Sequence, residues 1–434
     1  MRMLLAITVL FLLATDVLQW DLTYSAGLSA KNGVLYLITV FLLLRIVTGR
    51  AEGSGARPMY AAFAILIGYA LLSWVIAGVL IRYPTYDLVE SGIRLKNYLV
   101  DPFTFFLVFF LGTRSSEDTM TVIKALLLGA IFANLMTVLD VSGVLDLNYV
   151  ERADGRTQGA LGESNQYAAF IILFLPALIS AMAAARGLRR LFWLGGALIS
   201  VVALLLTASR GAMVGLLVAS AMGVYMYRRH VSVGRLSAWI IGGAAVIMIL
   251  LSVSQSDQLL TERVLTQTGS IDLSDASSGR SEIWSDAVAQ MLHAPVTLLT
   301  GYGWDVYSAF PFRYAPHNHY LGLWFNLGLV GLAAGSFVLF YAIVRARRAS
   351  DVAPPPLRGQ LIGFVIGATA LCVAIFFVDL HKPWPYFWAY VGVALRLAAC
   401  IPQAAHAPVE ARVAPAGDAH GWVARATASK PLKT

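Results

Sequence analysis

The feature that most constrains this chain is a series of apolar runs that recurs from its first residues to about residue 400. Each run is about 17–23 residues long, and an α-helix of that length crosses the hydrocarbon core of a bilayer. Of the 434 residues, 58% are hydrophobic and 13% are charged, whereas charged residues make up about a quarter of a soluble domain. The composition therefore excludes an ordinary soluble enzyme and predicts an all-α, polytopic membrane protein.

The apolar runs predict about twelve transmembrane helices. The first twenty residues look like a signal peptide, but no small-x-small cleavage site follows them, so this segment counts as the first span. Residues 1–400 are expected to form a single transmembrane domain, and residues 401–434, rich in Ala and Pro, a disordered cytoplasmic tail. The predicted spans cover roughly residues 3–20, 33–48, 59–81, 98–112, 120–138, 166–185, 191–207, 211–227, 236–253, 319–344, 359–378 and 385–400.

The charges of the loops predict the orientation in the membrane. Arginines cluster in alternate loops, and an excess of Arg and Lys marks the cytoplasmic side. The net charge of +8 is therefore a topology signal, and no nucleic-acid partner is predicted. Both termini are expected in the cytoplasm, and the opposite face carries two larger loops, about 139–165 and 254–318. The arginines assigned to the cytoplasmic side are Arg45, Arg50, Arg57, Arg186, Arg189, Arg190, Arg228, Arg229, Arg235, Arg345, Arg347, Arg348 and Arg358.

Two segments of the opposite face have a predictable shape. A single helix from Leu191 to Tyr227 would be about 55 Å long, against a hydrocarbon core of about 30 Å. The chain must therefore fold back, and Ser209-Arg210-Gly211 is the polar break, which places Arg210 at the extracytoplasmic surface. The larger loop is predicted to contain an amphipathic helix at the membrane surface, because helical spacing separates Ile283, Trp284, Ala287, Val288, Met291 and Leu292.

Arginine and histidine side chains collect on this extracytoplasmic face. They are Arg156, Arg210 and Arg280, together with His317 and His319 in "PHNHY" at a membrane boundary. Guanidinium groups pair bidentately with phosphate oxygens. Histidine, with an ordinary pKa near 6.5, can accept a proton from a hydroxyl group. This combination suits a lipid-linked phosphate substrate.

Each of these residues also has a structural interpretation. Arg210 could extend to lipid phosphates, Arg280 could pair with Glu282, and His317 and His319 could cap a helix at the interface. The sequence has no paired-carboxylate run, and two histidines two positions apart make a poor ligand pair. No metal and no other cofactor are therefore predicted. The two cysteines of the chain lie in apolar runs and are expected to be packing residues.

The motifs of this face, in their order along the chain, resemble those of the O-antigen ligase and polymerase superfamily of bacterial envelope proteins. The resemblance covers about residues 150–335 and rests on "GRTQGALGESNQYA", "LTASRGAMVGLL", "GRSEIWSDAV", "LLTGYGWDVY" and "APHNHYLGLWFNLGLVGL". It implies a fold similar to that of the polyisoprenyl-phosphate-dependent (GT-C type) glycosyltransferases. It also implies transfer of a glycan from undecaprenyl pyrophosphate to a hydroxyl acceptor, without a metal and with inversion at the anomeric carbon.

The resemblance assigns roles by motif position. His317 matches the catalytic general base, Arg210 and Arg280 match arginines that engage the pyrophosphate, and Arg156 matches a further basic position. Asn318 either orients the histidine or sugar or caps the following helix. His319 has no such role.

The resemblance also leads to an expected place and function. The protein is expected in the bacterial inner membrane with its active site facing the periplasm. The leading function is O-antigen ligase, which attaches O-antigen to lipid A-core, and the alternative is a polymerase of O-antigen or exopolysaccharide repeats. The loop before His317 is only about sixty residues long, which favours the polymerase, since lipid A-core is a large acceptor. A protein-directed oligosaccharyltransferase ranks third.

A lipid-glycan transporter is the rival from another class. It would need polar groups near the middle of the membrane and repeated broken helices. The best indication is the cluster Asp379-Leu380-His381-Lys382, which the predicted topology places in an extracytoplasmic loop.

Overall fold

The structure, a computed structural model, describes residues 1–20, 22–25, 27–48, 56–150, 156–227, 280–312, 315–380 and 384–405. Within these residues the protein is almost entirely helical, and strands β1 (Thr23–Ser25) and β2 (Leu28–Ser29) form a small antiparallel hairpin. Ten helical segments in the described ranges are long and apolar enough to cross a membrane. The prediction of an all-α, polytopic membrane protein is confirmed.

Fourteen α-helices lie within the described residues. Two π-helical segments, Ile76–Ile81 and Lys96–Val100, extend α3 and join α4 to α5. In chain order the helices are α1 (Arg2–Val17), α2 (Ala30–Val47), α3 (Arg57–Val75), α4 (Leu88–Leu95), α5 (Asp101–Gly112), α6 (Ser116–Val141), α7 (Ser164–Ala184), α8 (Leu188–Leu206), α9 (Arg210–Tyr227), α10 (Arg280–His293), α11 (Val296–Thr300), α12 (His319–Val352), α13 (Pro355–Ala374) and α14 (Trp384–Ala405).

Some predictions concern residues that lie outside the described ranges. They are the ninth predicted span, the first part of the loop 254–318, the tail from residue 406, and the side chains of Arg50, Arg228, Arg229, Arg235, His381 and Lys382. The predicted start of the tail is wrong by a few residues, because residues 401–405 are the last turn of α14.

One span begins earlier than its sequence predicts. The predicted span 98–112 is the end of a continuous helical segment that starts at Leu88. The extra turns carry Glu90 and Arg94, which form an ion pair one helical turn apart, and Arg94 Nη1 also donates to Asp305 Oδ1 at 3.1 Å. The charges of these polar turns are thus paired with each other and with a loop of the protein, although both side chains stay exposed.

The predicted hairpin between the seventh and eighth spans is confirmed. Helix α8 ends at Leu206 and α9 begins at Arg210. Between them Ala208 has a φ of 46°, a left-handed conformation that reverses the chain. The turn lies against the end of α13, since a Cβ on Gly211 would lie 2.9 Å from Phe377 Cβ.

Close backbone contact holds together the helices that carry this turn. A Cβ on Gly367 of α13 would lie 2.0 Å from the Leu173 carbonyl oxygen of α7. Small residues permit such contact, and in a membrane van der Waals packing replaces the hydrophobic drive that water would supply. Helix α9 packs against both α7 and α13. The ends of these three helices therefore lie side by side.

Helix α12 is interrupted in its first third, at Gly328, which has a φ of 60° and a ψ of −161°. The break leaves the carbonyl groups of Phe325 and Asn326 available to the loop that follows α11. The backbone N–H of Tyr302 donates to Phe325 O at 2.9 Å, and that of Gly303 donates to Asn326 O at 3.1 Å. A Cβ on Gly328 would lie 2.2 Å from a backbone carbonyl oxygen of α11. The loop is thereby joined to a membrane helix.

Two of the arginines assigned to the cytoplasmic side, Arg186 and Arg345, can be placed relative to the α8–α9 turn. Helix α7 begins beside the α8–α9 turn and ends before Arg186, and α12 runs from the same end towards Arg345. These arginines therefore lie at the end opposite the turn. Which end meets the cytoplasm stays a prediction.

Candidate active site

Arg156 stabilises the turn between α8 and α9. Its Nε donates to the Thr207 carbonyl oxygen at 2.9 Å, and its Nη2 donates to Asn165 Oδ1 at 3.2 Å. The hydroxyl group of Ser209 donates to the same oxygen of Asn165 at 2.9 Å. One guanidinium group and one amide thus tie the turn to the start of α7, and they fix the backbone from which Arg210 projects.

Arg210 and Arg280 begin two helices, α9 and α10, at this end of the bundle. The predicted amphipathic helix is α10, with Ala287 and Met291 on its buried face. The pKa of Arg280 is lowered, and burial is the largest cause. The charge of Arg210 lowers this pKa further, whereas the charges of Glu163 and Asp379 raise it. Two guanidinium groups held within range of each other favour an anion between them.

Glu163 belongs to the same electrostatic cluster and also caps α7. Its carboxylate oxygens accept hydrogen bonds from the backbone N–H groups of Asn165 at 3.2 Å and Gln166 at 3.1 Å. A carboxylate in this position stabilises the positive end of a helix. It also supplies a negative charge that acts on Arg280 and raises its pKa.

The "PHNHY" segment is fixed by contacts on both sides of His317. Trp284 Nε1 of α10 donates to the Pro316 carbonyl oxygen at 2.6 Å, and the backbone N–H of His319 donates to Ile375 O at 2.9 Å. His317 itself has a φ of 48°. A left-handed conformation is uncommon outside glycine and clusters at functional sites. The backbone of His317 is therefore fixed from both sides.

Asp379 lies beside His317 and is joined to it through the backbone. The N–H of His317 donates to the Asp379 carboxylate; burial raises the pKa of that carboxyl group to about 7, while this hydrogen bond and the charge of Arg280 act to lower it. One carboxylate oxygen, Oδ2, has no hydrogen-bond partner among the described residues. Asp379 thus fixes the left-handed turn and presents an acceptor next to the imidazole.

The pKa of His317 is lowered from its ordinary value. Burial on its protein side is the largest cause, the charge of Arg280 lowers the pKa further, and Glu163 raises it. The side chain nevertheless keeps an exposed face. At neutral pH the imidazole is therefore uncharged, reachable and able to accept a proton.

The structure brings three of the predicted site residues together and gives the other two separate positions. Arg210, Arg280 and His317 share one cluster of interacting charges. Arg156 braces the turn. Asn318 caps α12, because its side-chain oxygen accepts from the N–H groups of the two residues after His319, each at 3.1 Å.

His319 lines a cavity that Asp379 also borders. Its ring lies 5.1 Å from that of Trp384, at the start of α14.

Sequence reasoning missed two members of the cluster, Glu163 and Asp379. Glu163 stands inside the motif "GESNQY", where it precedes a predicted span and reads as a helix cap. From the sequence, Asp379 indicates only the rival function, a transporter. Its loop is about sixty residues from His317 in sequence, and only the packing of α12 against α13 joins them.

The described residues contain no group of three or more His, Cys, Asp or Glu side chains that could hold a metal ion. Independence of metal stays a prediction.

Comparison with known proteins adds one match. A family model described as O-antigen ligase matches residues 195–336, which include Arg210, Arg280 and His317. No curated protein matches the chain significantly. The family match implies ligase or polymerase activity of the glycosyltransferase type on lipid-linked glycans. This match, in a polytopic helical bundle, supports the resemblance of the chain to the O-antigen ligase-like superfamily.

Proposed function

We propose that this protein transfers a glycan from undecaprenyl pyrophosphate to a hydroxyl acceptor at the periplasmic face of the bacterial inner membrane. The observation that carries the proposal is the single cluster formed by Arg210, Arg280 and His317 where membrane helices begin. The family match over the same residues supports it. The leading function is O-antigen ligase, with lipid A-core as the acceptor.

The two arginines suit the diphosphate of a lipid-linked donor. Each guanidinium group can give two parallel hydrogen bonds to phosphate oxygens. The charge of Arg210 lowers the pKa of Arg280 because the two cations repel each other, and a bound diphosphate would relieve that repulsion. As the bond to the sugar breaks, negative charge grows on the leaving pyrophosphate, and fixed cations stabilise that charge more than they stabilise the donor.

The reaction is a displacement at the anomeric carbon. The acceptor hydroxyl oxygen attacks this carbon and its proton passes to His317, whose lowered pKa keeps the imidazole uncharged and ready to accept it. The bond between the anomeric carbon and the phosphate oxygen breaks, and the pyrophosphate leaves with the electron pair. Attack from the side opposite the leaving group inverts the configuration. Asp379 acts as a positioning residue that holds the backbone of His317.

Two rival functions remain to be tested against this proposal. A polymerase that extends O-antigen or exopolysaccharide repeats would use the same donor chemistry and the same cluster. A lipid-glycan transporter would bind the donor without breaking it. The shared cluster does not separate ligase from polymerase, so the product must be identified.

Two experiments test the proposal. Purified protein given the lipid-linked donor and an acceptor should release undecaprenyl pyrophosphate; a protein that binds the donor but releases none would be a transporter. Mass spectrometry of envelope glycans from a deletion strain then separates the enzymes. Lipopolysaccharide without O-chains, together with long lipid-linked polymer, is the ligase outcome, whereas single lipid-linked repeats are the polymerase outcome.

A further inference from the structure

A cleft opens beside the catalytic cluster. One cavity of about 420 Å³ is lined by Asp379, by the first turns of α12 and by the loop that follows α11. A second cavity of about 360 Å³ shares Arg94, Asp305 and Tyr307 with the first and continues it towards the start of α4. We name the two together the side cleft. It meets the catalytic cluster at Asp379.

The walls of the side cleft combine aromatic rings with hydrogen-bonding groups. The rings of Tyr98 and Trp304 meet edge to face, with centroids 6.4 Å apart, and both line the first cavity. Asn326 is 7% exposed; its Nδ2 donates to Tyr307 Oη at 2.9 Å, and its Oδ1 has no hydrogen-bond partner in the described residues. Buried acceptors normally find donors. This oxygen and Asp379 Oδ2 therefore call for donor groups from a ligand.

The charge of the side cleft differs from that of the arginine pair. Its described cation, Arg94, is held by Glu90 and Asp305. Burial raises the pKa of Asp305 to about 6, although the charge of Arg94 acts to lower it. Neither Arg210 nor Arg280 lines either cavity. The described lining thus has no excess positive charge, which disfavours a phosphorylated ligand and suits an uncharged, hydroxyl-rich one.

We propose that the side cleft binds uncharged sugars of the acceptor glycan. The inference rests on the proposed function and extends it, because it names the part of the acceptor that the protein recognises. Hydroxyl groups supply the donors that Asn326 and Asp379 lack, and sugar rings pack on aromatic faces. The position favours the acceptor over the donor glycan, since the donor sugar next to the diphosphate must lie at the arginines. The cleft instead joins the cluster at Asp379, beside the base that deprotonates the acceptor.

A small substitution in the first turns of α12 can narrow the side cleft. Gly322 and Asn326 are four residues apart and line the same wall. A Cβ on Gly322 would lie 3.2 Å from Tyr307 Oη and 3.9 Å from Asp379 Oδ1. Gly322→Ala therefore adds one methyl group to the cleft and keeps a residue that favours helix. Gly68→Ala is the matched control, because Gly68 is also helical and its Cβ would meet nothing within 4 Å. Asn326→Leu replaces the amide group by an apolar side chain of similar volume.

The test measures transfer by the purified full-length protein in nanodiscs, with the lipid-linked repeat of the source strain as donor and its deacylated lipopolysaccharide core as acceptor. We expect Gly322→Ala and Asn326→Leu to raise the KM for acceptor about tenfold, with the KM for donor and the slow hydrolysis of donor by water unchanged. Gly68→Ala should match the wild type. A raised KM for donor, or no change in either KM, would overturn the proposal.

A binding measurement separates failure of this inference from failure of the proposed function. Hydrogen–deuterium exchange of residues 301–312 is compared with and without the deacylated core, in the absence of donor. Protection that is lost in Asn326→Leu supports the side cleft even if the wild type transfers nothing, in which case only the proposed reaction fails. No protection in the wild type overturns the side cleft as an acceptor site.

Discussion

Replacing His317 by asparagine gives the sharpest test of the catalytic base. Because His317 has a φ of 48°, a substitution there changes both the chemistry and the backbone. Asparagine tolerates this conformation, whereas alanine in it costs about 1–2 kcal/mol. General-base catalysis contributes about 10²–10⁴-fold, which is about 2.7–5.4 kcal/mol of the activation barrier. We therefore expect His317→Asn to lose this factor in kcat and to unfold at the wild-type temperature.

The assay follows release of undecaprenyl pyrophosphate from donor in the presence of acceptor. His317→Ala should lose as much activity as His317→Asn and should also be slightly less stable. Both variants should insert in the membrane and bind donor as the wild type does, because the arginines are unchanged. Wild-type turnover by His317→Asn would refute the role of His317 as base.

The pH dependence of kcat/KM and kcat gives a second test of the same variant. Because the folded pKa of His317 is lowered from 6.5, the imidazole is uncharged at pH 7, and kcat/KM should fall only as the pH drops below that ordinary value. A bound diphosphate adds negative charge beside the imidazole, so the corresponding fall in kcat should lie at higher pH. His317→Asn should lack this acid limb. An unchanged limb in the variant would assign the titration to another group.

Three further predictions concern the groups around the base. Arg210→Lys and Arg280→Lys should each lower kcat/KM at least tenfold, since a point charge does not reproduce a planar fork; full activity of Arg210→Lys would make that residue a topology anchor only. Asn165→Leu removes the acceptor shared by a charged and a neutral donor, and it should destabilise the protein by about 2–4 kcal/mol, seen as a lower Tm in detergent; an unchanged Tm would contradict the bracing role. A chelator should leave transfer unchanged, and inhibition reversed by magnesium would contradict metal independence.

The sequence predicts those parts of the fold that depend on local length and polarity. The turn at Ser209 follows from the length of the apolar run around it, and α10 follows from the spacing of its apolar residues. The early start of the fourth span does not follow in this way. Glu90 and Arg94 look too polar for a span, and their compensation comes from Asp305, which is more than two hundred residues away.

The site residues also divide into those whose place the sequence predicts and those whose place depends on tertiary contacts. Motif order predicts that Arg210, Arg280 and His317 belong together, and their shared cluster agrees with this. The functions of Arg156 and Asn318 depend on which atoms their side chains meet, and a residue type in a motif does not specify that. Asp379 joins His317 only through tertiary packing, so periodicity and loop charge assign it to no site.

The break in α12 has a mechanical consequence for the side cleft. Loop amides replace the missing hydrogen-bond partners at Gly328. The loop that lines the side cleft is therefore hydrogen-bonded to α12, a helix long enough to cross the bilayer. We expect that moving this loop away from α12 would break both of these hydrogen bonds. The loop should therefore keep its place beside the first turns of α12, which directly follow His317, while a glycan enters the side cleft.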